Sequence, residues 1–249
     1  MFRALRSVVF LVFGFTSGVL FAAVSMLFFW TSERFLWGFV LNYCRLTLWA
    51  GRFFCGMDYR VEGLENLPQN ASVIMIKHSS VFETYGHVPF FPRTSWVLKR
   101  AILWIPVFGW ALALVFRPIA IDRKAGARAV RQVIDQGKAK LAAGVWVTIF
   151  PEGTRVQPGQ TRKYGISGAA LAREAGVMIV PVAHNAGDLW RRRQLVKRPG
   201  LVRFCIGPPI DPSTQSPKET NRLVQAWIEN KMREISPAYQ ILTRSSGGK

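Results

Sequence analysis

The chain opens with one long apolar stretch and then changes to short apolar runs separated by polar segments. No charged residue occurs at positions 7–32. As an α-helix, this run would be about 39 Å long, enough to cross a hydrocarbon layer of about 30 Å. It is too long for the apolar region of a secretory signal, and no convincing cleavage site lies near its end. The run therefore predicts a retained membrane anchor.

A second apolar stretch, at 34–56, is rich in aromatic residues but carries three arginines, Arg34, Arg45 and Arg52. At 100° per residue these arginines lie within about 20° of one another. One basic stripe on an apolar helix is typical of a helix lying in the membrane interface. A second spanning helix with inward-facing arginines is the alternative. The sequence leaves open whether the two segments form a spanning anchor or a hairpin within one leaflet.

From residue 57 onward, short apolar runs alternate with amphipathic segments, which is typical of strands alternating with helices. The predicted strands lie at 58–61, 72–77, 95–98, 119–121, 145–150, 177–180 and 202–206. The predicted helices begin near 80, 125, 167 and 217, and the tail at 245–249 is predicted to be flexible. Several strands are apolar on both faces, which favours a mostly parallel or mixed sheet flanked by helices. The predicted fold class is therefore α/β. The chain divides into membrane-anchoring helices at 1–56 and an α/β domain at 57–249.

The most informative segment joins the strand at 72–77 to the next helix. His78 follows this strand directly, and Ser79 or Ser80 is expected to cap a helix whose first turn carries Glu83. Positions five apart on a helix point about 140° away from each other, so a contact requires His78 to lie on the turn before the helix. A carboxylate on one imidazole nitrogen fixes the tautomer and leaves the other nitrogen free as a general base.

Charged side chains follow four of the predicted strands directly. Sites in such sheets lie outside the carboxyl ends of the strands, so these side chains are expected to converge on one edge. They are His78, Lys99, Arg123, Glu152 and Arg155.

Composition narrows the class of partner. The 33 basic and 14 acidic residues give a net charge of +19, and half of the residues are apolar. A cationic, apolar-rich chain without a nucleic-acid-binding motif favours anionic membrane lipids over nucleic acid. The basic positions at 191–193 and 197–198 are expected to face a membrane or to bind an acidic carrier protein or coenzyme A phosphates. The three scattered cysteines predict buried thiols and no metal site.

Four ordered blocks resemble the glycerolipid acyltransferase family, whose bacterial members include 1-acylglycerol-3-phosphate acyltransferases. They are His78-x4-Glu83, Ile-Asp-Arg at 121–123, Phe-Pro-Glu-Gly-Thr-Arg at 150–155 and Val-Pro-Val at 180–182. The match covers about residues 72–182 and the apolar amino terminus. Glu83 replaces the family's usual aspartate, and Arg117 and Ala120 replace its usual glycine and phenylalanine.

The resemblance implies transfer of a fatty acyl group from acyl-CoA or acyl carrier protein to 1-acylglycerol-3-phosphate, giving phosphatidic acid without a cofactor. His78, held by Glu83, would take the proton of the acceptor hydroxyl, and Arg155 would bind the acceptor phosphate. The same site is expected to include Glu152, Gly153 and Thr154, with Lys99 and Arg123 as further phosphate contacts. For Arg123, an ion pair with Asp122 or a solvated helix start is the alternative.

The departures from the family pattern leave room for another lysophospholipid or an aminolipid as acceptor. A non-catalytic membrane lipid or protein binder with the same fold is a further alternative. The expected location is a bacterial inner membrane with the catalytic domain on the cytoplasmic side, where acyl thioesters are made.

Overall fold

Two long helices form an antiparallel hairpin at the amino terminus of this computed structural model, which describes residues 2–246. Helix α1 spans Phe2–Met26 and helix α2 spans Glu33–Cys55. Ser32 caps α2 by accepting from the Phe35 amide, and Gly56 ends it in the left-handed conformation. Among the described helices, α1 is the one long and apolar enough to cross a membrane.

A seven-stranded mixed sheet forms the centre of the chain, as the sequence predicts. Its strands are β1 (Met57–Glu62), β2 (Val73–Ile76), β3 (Thr94–Lys99), β4 (Ile119–Ile121), β5 (Trp146–Ile149), β6 (Ile179–His184) and β7 (Gly200–Ile206). The strand order is β1-β7-β6-β2-β5-β3-β4, and every neighbouring pair is parallel except β6 and β7. The carboxyl ends of β2, β3, β4, β5 and β6 therefore meet at one edge, here called the catalytic edge.

Helices cover both faces of the sheet. The α-helices after the hairpin are α3 (Phe82–Gly86), α4 (Phe108–Ala111), α5 (Ala127–Ala142), α6 (Ser167–Ala175), α7 (Ala186–Leu189), α8 (Pro217–Ile235) and α9 (Pro237–Ser246). Short 3₁₀ segments lie at Leu64–Asn66, Val88–Phe90, Arg100–Trp104 and Arg123–Ala125, and a π-helical turn lies at Leu112–Phe116.

Alternate residues of β2 point into two separate cores. Val73 and Met75 pack against the face covered by α5, α6 and α8, whereas Ile74 and Ile76 pack against the face covered by α1 and α2. Phe10 of α1 and Leu48 of α2 belong to this second core. The hairpin is therefore packed into the α/β structure and is not a separate appendage.

Some local details differ from the predictions. Helix α3 begins at Phe82 with Val81 at its cap position, but Ser80 Oγ accepts from the Phe82 amide over 3.1 Å, so Ser80 satisfies the first backbone donor of the helix. Strand β6 continues through Pro181 to His184, because Lys77 donates its amide to Val182 and the pairing with β2 persists. Residues 245–246 of the tail form the end of α9, and residues 247–249 lie outside the described part of the chain, so the flexible tail stays a prediction.

Candidate active site

His78 and Glu83 are in contact at the catalytic edge. His78 lies on the turn between β2 and α3, and its Nδ1 is 2.8 Å from Glu83 Oε1. The imidazole stacks on the Phe150 ring, with 4.3 Å between ring centroids. Its side chain is 12% exposed, and Nε2 makes no hydrogen bond to any described residue. Because Glu83 accepts from Nδ1–H, Nε2 is left as a free acceptor facing the open side of the site.

Backbone donors hold the Glu83 carboxylate in place. The amides of Ser79 and Ser80 donate to Glu83 Oε1 over 3.1 Å and 3.0 Å. Burial by itself raises the pKa of Glu83, but the opposing effects of His184, the hydrogen bond from His78 and the backbone donation together lower it. The group is therefore a buried carboxylate held ionised, the form that orients and stabilises a neighbouring imidazole.

A second histidine, His184, lies behind Glu83 at the end of β6. Its Nε2 donates to the Lys77 carbonyl over 2.7 Å and lies 3.8 Å from Glu83 Oε2, while its Nδ1 accepts from the Ala186 amide. Burial lowers the pKa of His184 below its usual value. Position alone, just after Pro181-Val182, did not reveal this contact, because it depends on the pairing of β6 with β2.

The turn after β5 packs directly against His78. The Val156 amide donates to the His78 carbonyl over 2.8 Å. Gly153 has φ +68°, a left-handed conformation in which a side chain would be strained, and its amide closes the turn onto Phe150. Residues 150–155 therefore lie against His78 at the catalytic edge.

Glu152 points into the protein and not into the open site. Its Oε1 lies 3.2 Å from Lys77 Nζ and accepts from the His78 amide over 3.3 Å. Lys77 Nζ also lies 2.7 Å from Glu229 Oε1 on α8. Burial raises the pKa of Glu152, against the opposing effect of the Lys77 ammonium. The predicted contact of Glu152 with substrate stays a prediction, and the observed geometry gives its carboxylate an internal partner.

Lys77 and Glu229 were not singled out from the sequence. Lys77 is fully buried, and Glu229 also accepts from the Tyr164 and Tyr239 hydroxyls over 2.9 Å and 3.0 Å. A lysine at the end of an otherwise apolar strand is the one signal that would have indicated a buried partner, since an isolated buried ammonium is strongly destabilising.

Cationic side chains surround the open part of the site. Arg123 donates to the Gly153 carbonyl rather than pairing with Asp122, and Arg192 donates to the Arg155 carbonyl over 3.1 Å. The Arg155 guanidinium forms no hydrogen bond or ion pair with the described residues. Lys99 is exposed at the end of β3, on the same edge as β2 and β5. Thr154, at the same turn, is half-buried.

The basic segment at 191–198 is only partly the exposed patch that the sequence predicts. Lys197 is buried, with Nζ over the Trp190 ring at 4.8 Å from its centroid and donating to the Leu195 carbonyl. The Lys197 amide donates to Ser7 Oγ of α1. Burial lowers the pKa of Lys197 to about 8. Within residues 2–246, no group of three or more His, Cys, Asp or Glu side chains is arranged to hold a metal ion.

The α/β fold and this site define a class of enzyme. A histidine with one nitrogen on a buried carboxylate and the other free has the arrangement of a general base, and no G-x-S-x-G nucleophile accompanies it. Cations beside the base suit an anionic acceptor that carries its own nucleophile. These features are those of a transferase that activates a hydroxyl group of a bound acceptor.

Comparisons with known proteins identify the family. The family model described as "Acyltransferase" matches residues 58–185. The 1-acyl-sn-glycerol-3-phosphate acyltransferase of Pseudomonas aeruginosa is 45% identical over 204 residues, covering 81% of this chain and 79% of that protein. The human 1-acyl-sn-glycerol-3-phosphate acyltransferase alpha is 26% identical over 201 residues, covering 77% of this chain and 70% of that protein.

The fold also has a solved counterpart. The crystal structure of the 1-acyl-sn-glycerophosphate acyltransferase PlsC from Thermotoga maritima matches with a TM-score of 0.76 and 20% identity, covering 92% of this chain and 94% of that one. The chain belongs to the acyltransferase family, and it is an O-acyltransferase.

Proposed function

We propose that this enzyme transfers a fatty acyl group from acyl-CoA or acyl carrier protein to the free hydroxyl of 1-acylglycerol-3-phosphate, giving phosphatidic acid. The observation that carries the proposal is the geometry of His78. Its Nδ1 contacts Glu83, and its Nε2 is free at the edge of the sheet where Lys99, Arg123 and Arg155 lie. The Pseudomonas protein named 1-acyl-sn-glycerol-3-phosphate acyltransferase is 45% identical, and the match covers most of both chains, which supports 1-acylglycerol-3-phosphate as the acceptor.

The reaction uses one proton relay. His78 Nε2 takes the proton of the acceptor hydroxyl as its oxygen attacks the thioester carbonyl carbon. The tetrahedral intermediate then collapses with cleavage of the carbon–sulfur bond, and the imidazolium returns the proton to the departing thiolate. Glu83 stabilises the imidazolium while it carries the proton. The substrate supplies the nucleophile, so no covalent acyl-enzyme intermediate is required.

The acceptor phosphate is assigned to the cations around the turn after β5. Arg155 offers an unpaired bidentate fork, and Lys99 and Arg123 add positive charge on the same edge. Gly153 and Thr154 contribute the adjacent backbone of this turn. For Glu152, the bonds to Lys77 and to the His78 amide support a positioning role, in which its carboxylate holds the turn against His78.

The hairpin is assigned to one leaflet of a membrane, with the catalytic domain on the cytoplasmic side. One flank of α1 is covered by protein from Ser7 to Ser25, and α2 is buried at intervals from Leu36 to Cys55. The other flank of α1 exposes large apolar side chains, including Phe15 and Leu20. The three arginines of α2 are all exposed, as an interfacial helix requires.

The departure at Arg117 gives no support to a different acceptor. Arg117 lies before β4, at the amino edge of the sheet, whereas Arg123 follows β4 at the catalytic edge. Arg117 therefore lies at the opposite edge of the sheet from the acceptor contacts assigned above.

The test is an activity matrix of acyl donors against lyso-acceptors in liposomes. We expect the highest kcat/KM with 1-acylglycerol-3-phosphate, and thiol release that His78→Ala abolishes. Arg128→Ala, an exposed change on α5, serves as the control and should retain activity. Full activity of His78→Ala would exclude the proposed base, and preference for another lysolipid would exclude the proposed acceptor. Lipid binding without thiol release by the wild-type enzyme would indicate a non-catalytic binder.

A further inference from the structure

A cationic cavity lies at the amino edge of the sheet, opposite the catalytic edge. It is bounded by the start of α2, the segment before β3, the π-helical turn and the end of α5. It is partly open to solvent, with a cavity volume of about 30 Å³. Its charged lining residues are Glu33, Arg93, Arg117 and Lys140. Because β2, β3 and β5 run in parallel away from this edge, the cavity is separated from His78 by the length of the strands.

Positive charge exceeds negative charge in this cavity. The Glu33 carboxylate pairs with Arg93, and its Oε1 lies 3.7 Å from Arg117 Nη1. Lys140, in the last turn of α5, adds a third cation. Partial burial lowers its pKa, the Glu33 carboxylate opposes this shift, and Arg93 and Arg117 reinforce it. One carboxylate facing three cations leaves a net charge of +2 on the lining, which suits an anion with more than one negative oxygen.

A buried hydroxyl in the cavity wall has no partner. Ser95 lines the cavity, is 1% exposed, and its Oγ forms no hydrogen bond with the described residues. An unsatisfied buried polar atom is destabilising by about 1–3 kcal/mol unless a ligand or water completes it. An anionic oxygen in the cavity would accept from this hydroxyl.

Arg117 occupies a strained backbone position, where glycine would be more stable but would carry no charge. Arg117 has φ +44° and ψ +57°, the left-handed region that favours glycine. A non-glycine residue there is less stable by roughly 1–2 kcal/mol. Glycine would remove both the strain and the guanidinium, so the side chain is retained at a cost in stability.

An apolar cavity of about 70 Å³, also partly open to solvent, adjoins the cationic one. The two cavities share Leu36, Val40 and Phe116 in their walls. The remaining lining comes largely from apolar side chains of α1, α2 and α4, such as Phe21 and Phe39. Trp110 of α4, a helix that contacts α1, is exposed to solvent. A ligand with a charged head and an apolar tail matches the pair of cavities.

We propose that the two cavities bind an anionic phospholipid of the surrounding membrane, separately from the acceptor in the active site. Arg93, Arg117 and Lys140 hold its phosphate, Ser95 donates to a phosphate oxygen, and one acyl chain enters the apolar cavity. Glu33 keeps the arginines together when the lipid is absent and gives up part of this pairing when the phosphate binds. Bound lipid at this edge fixes how the enzyme sits on the membrane surface.

The test compares two double variants. The cavity variant carries Arg93→Gln and Arg117→Gly, and the control variant carries Arg128→Gln and Arg131→Gln. Both remove two positive charges, but the control arginines are exposed on α5 and do not line either cavity. Binding is measured with nanodiscs of phosphatidylcholine alone and of phosphatidylcholine with phosphatidylglycerol. We expect the cavity variant to lose about tenfold more affinity for the phosphatidylglycerol nanodiscs than the control. Equal losses in both variants would overturn the proposal.

Thermal unfolding in detergent provides a second measurement. Short-chain phosphatidylglycerol should raise the Tm of the wild-type enzyme and of the control, and it should not raise the Tm of the cavity variant. Arg117→Gly alone should fold with an equal or higher Tm, because glycine adopts this backbone without strain. Equal stabilisation by soluble glycerol phosphate would indicate a free-phosphate site and contradict a lipid site. The inactive His78→Ala enzyme should still gain Tm with phosphatidylglycerol. Failure of the catalytic proposal can therefore be distinguished from failure of the lipid-site proposal.

Discussion

At the scale of single residues, the proposed catalytic pair is held by three donors that converge on Glu83 Oε1. His78 Nδ1 and the amides of Ser79 and Ser80 all lie within 3.1 Å of this oxygen. The pairing of His78 with Glu83 was predictable from the sequence, because both residues lie on one short strand-to-helix segment.

Replacing Glu83 by glutamine should abolish most of the activity while leaving the fold intact. The amide oxygen still accepts from the two backbone donors, but a neutral amide cannot stabilise an imidazolium. We expect kcat to fall about 10³–10⁴-fold with little change in KM. Steady-state kinetics in liposomes measures this, with the exposed Glu234→Gln as the control. A loss confined to KM would assign Glu83 to substrate binding.

Buried His87 should make the folded enzyme sensitive to acid. Its Nδ1 donates to the Glu83 carbonyl over 2.5 Å, and burial lowers its pKa to about 4, although the Glu83 carboxylate opposes this shift. The unfolded chain, with a histidine pKa of about 6.5, binds a proton that the folded chain excludes. Stability is therefore unaffected above about pH 6.5 and falls, by on the order of 3 kcal/mol for this group, as pH falls towards 4.

Urea unfolding at a series of pH values tests this dependence. His87→Asn keeps a donor to the Glu83 carbonyl but cannot titrate, so its stability should fall less steeply with acid than that of the wild type. The buried His184 stays in both proteins and adds the same slope to each. Identical slopes would show that His87 does not carry the effect.

At the scale of elements, a buried ionic cluster joins β2, the turn after β5 and α8. Lys77 pairs with Glu152 and Glu229, and the latter also accepts from two tyrosine hydroxyls. The amphipathic pattern of α8 predicts the helix but not this contact, since Lys77 and Glu229 are 152 positions apart in sequence. Only the packing of α8 on the sheet brings them together.

Removing Lys77 should destabilise the fold and loosen the catalytic turn. Lys77→Met leaves Glu152 and Glu229 buried without a cation, which is expected to lower the free energy of unfolding by about 3–5 kcal/mol. Lys231→Met removes the lysine of a surface pair with Glu234 on the same helix, so it should change stability by less than about 1 kcal/mol. Chemical denaturation in detergent measures both. A similar small effect of the two substitutions would contradict the role of the cluster.

At the scale of the whole molecule, the amino-terminal hairpin completes one of the two cores. Phe10, Leu48 and Cys55 pack with Ile74 and Val180 of the central strands. The sequence division into residues 1–56 and 57–249 stays a prediction about function, with the hairpin facing the membrane. The packing leads us to propose that the two parts fold as one unit.

A chain truncated to residues 57–249 should therefore fail to fold cooperatively. It exposes the apolar surface that the hairpin covers, and each large side chain so exposed is destabilising by about 1.5–3 kcal/mol. Near-ultraviolet circular dichroism and thermal unfolding measure the loss. Phe15→Ser with Leu20→Ser changes only exposed positions of α1, so that variant should fold normally and bind membranes more weakly. A truncated chain with a sharp unfolding transition would contradict a shared core.

The sequence by itself determined the strands, the apolar helix α1, the helices α3, α5, α6 and α8, and the contact of His78 with Glu83. These features depend on local hydrophobic periodicity and on residues a few positions apart, which short-range geometry constrains. Tertiary structure alone decided that His184 stands behind Glu83, that Glu152 turns inward to Lys77 and that Arg93, Arg117 and Lys140 line one cavity. Each of these depends on strand order and helix packing, which join residues distant in the chain.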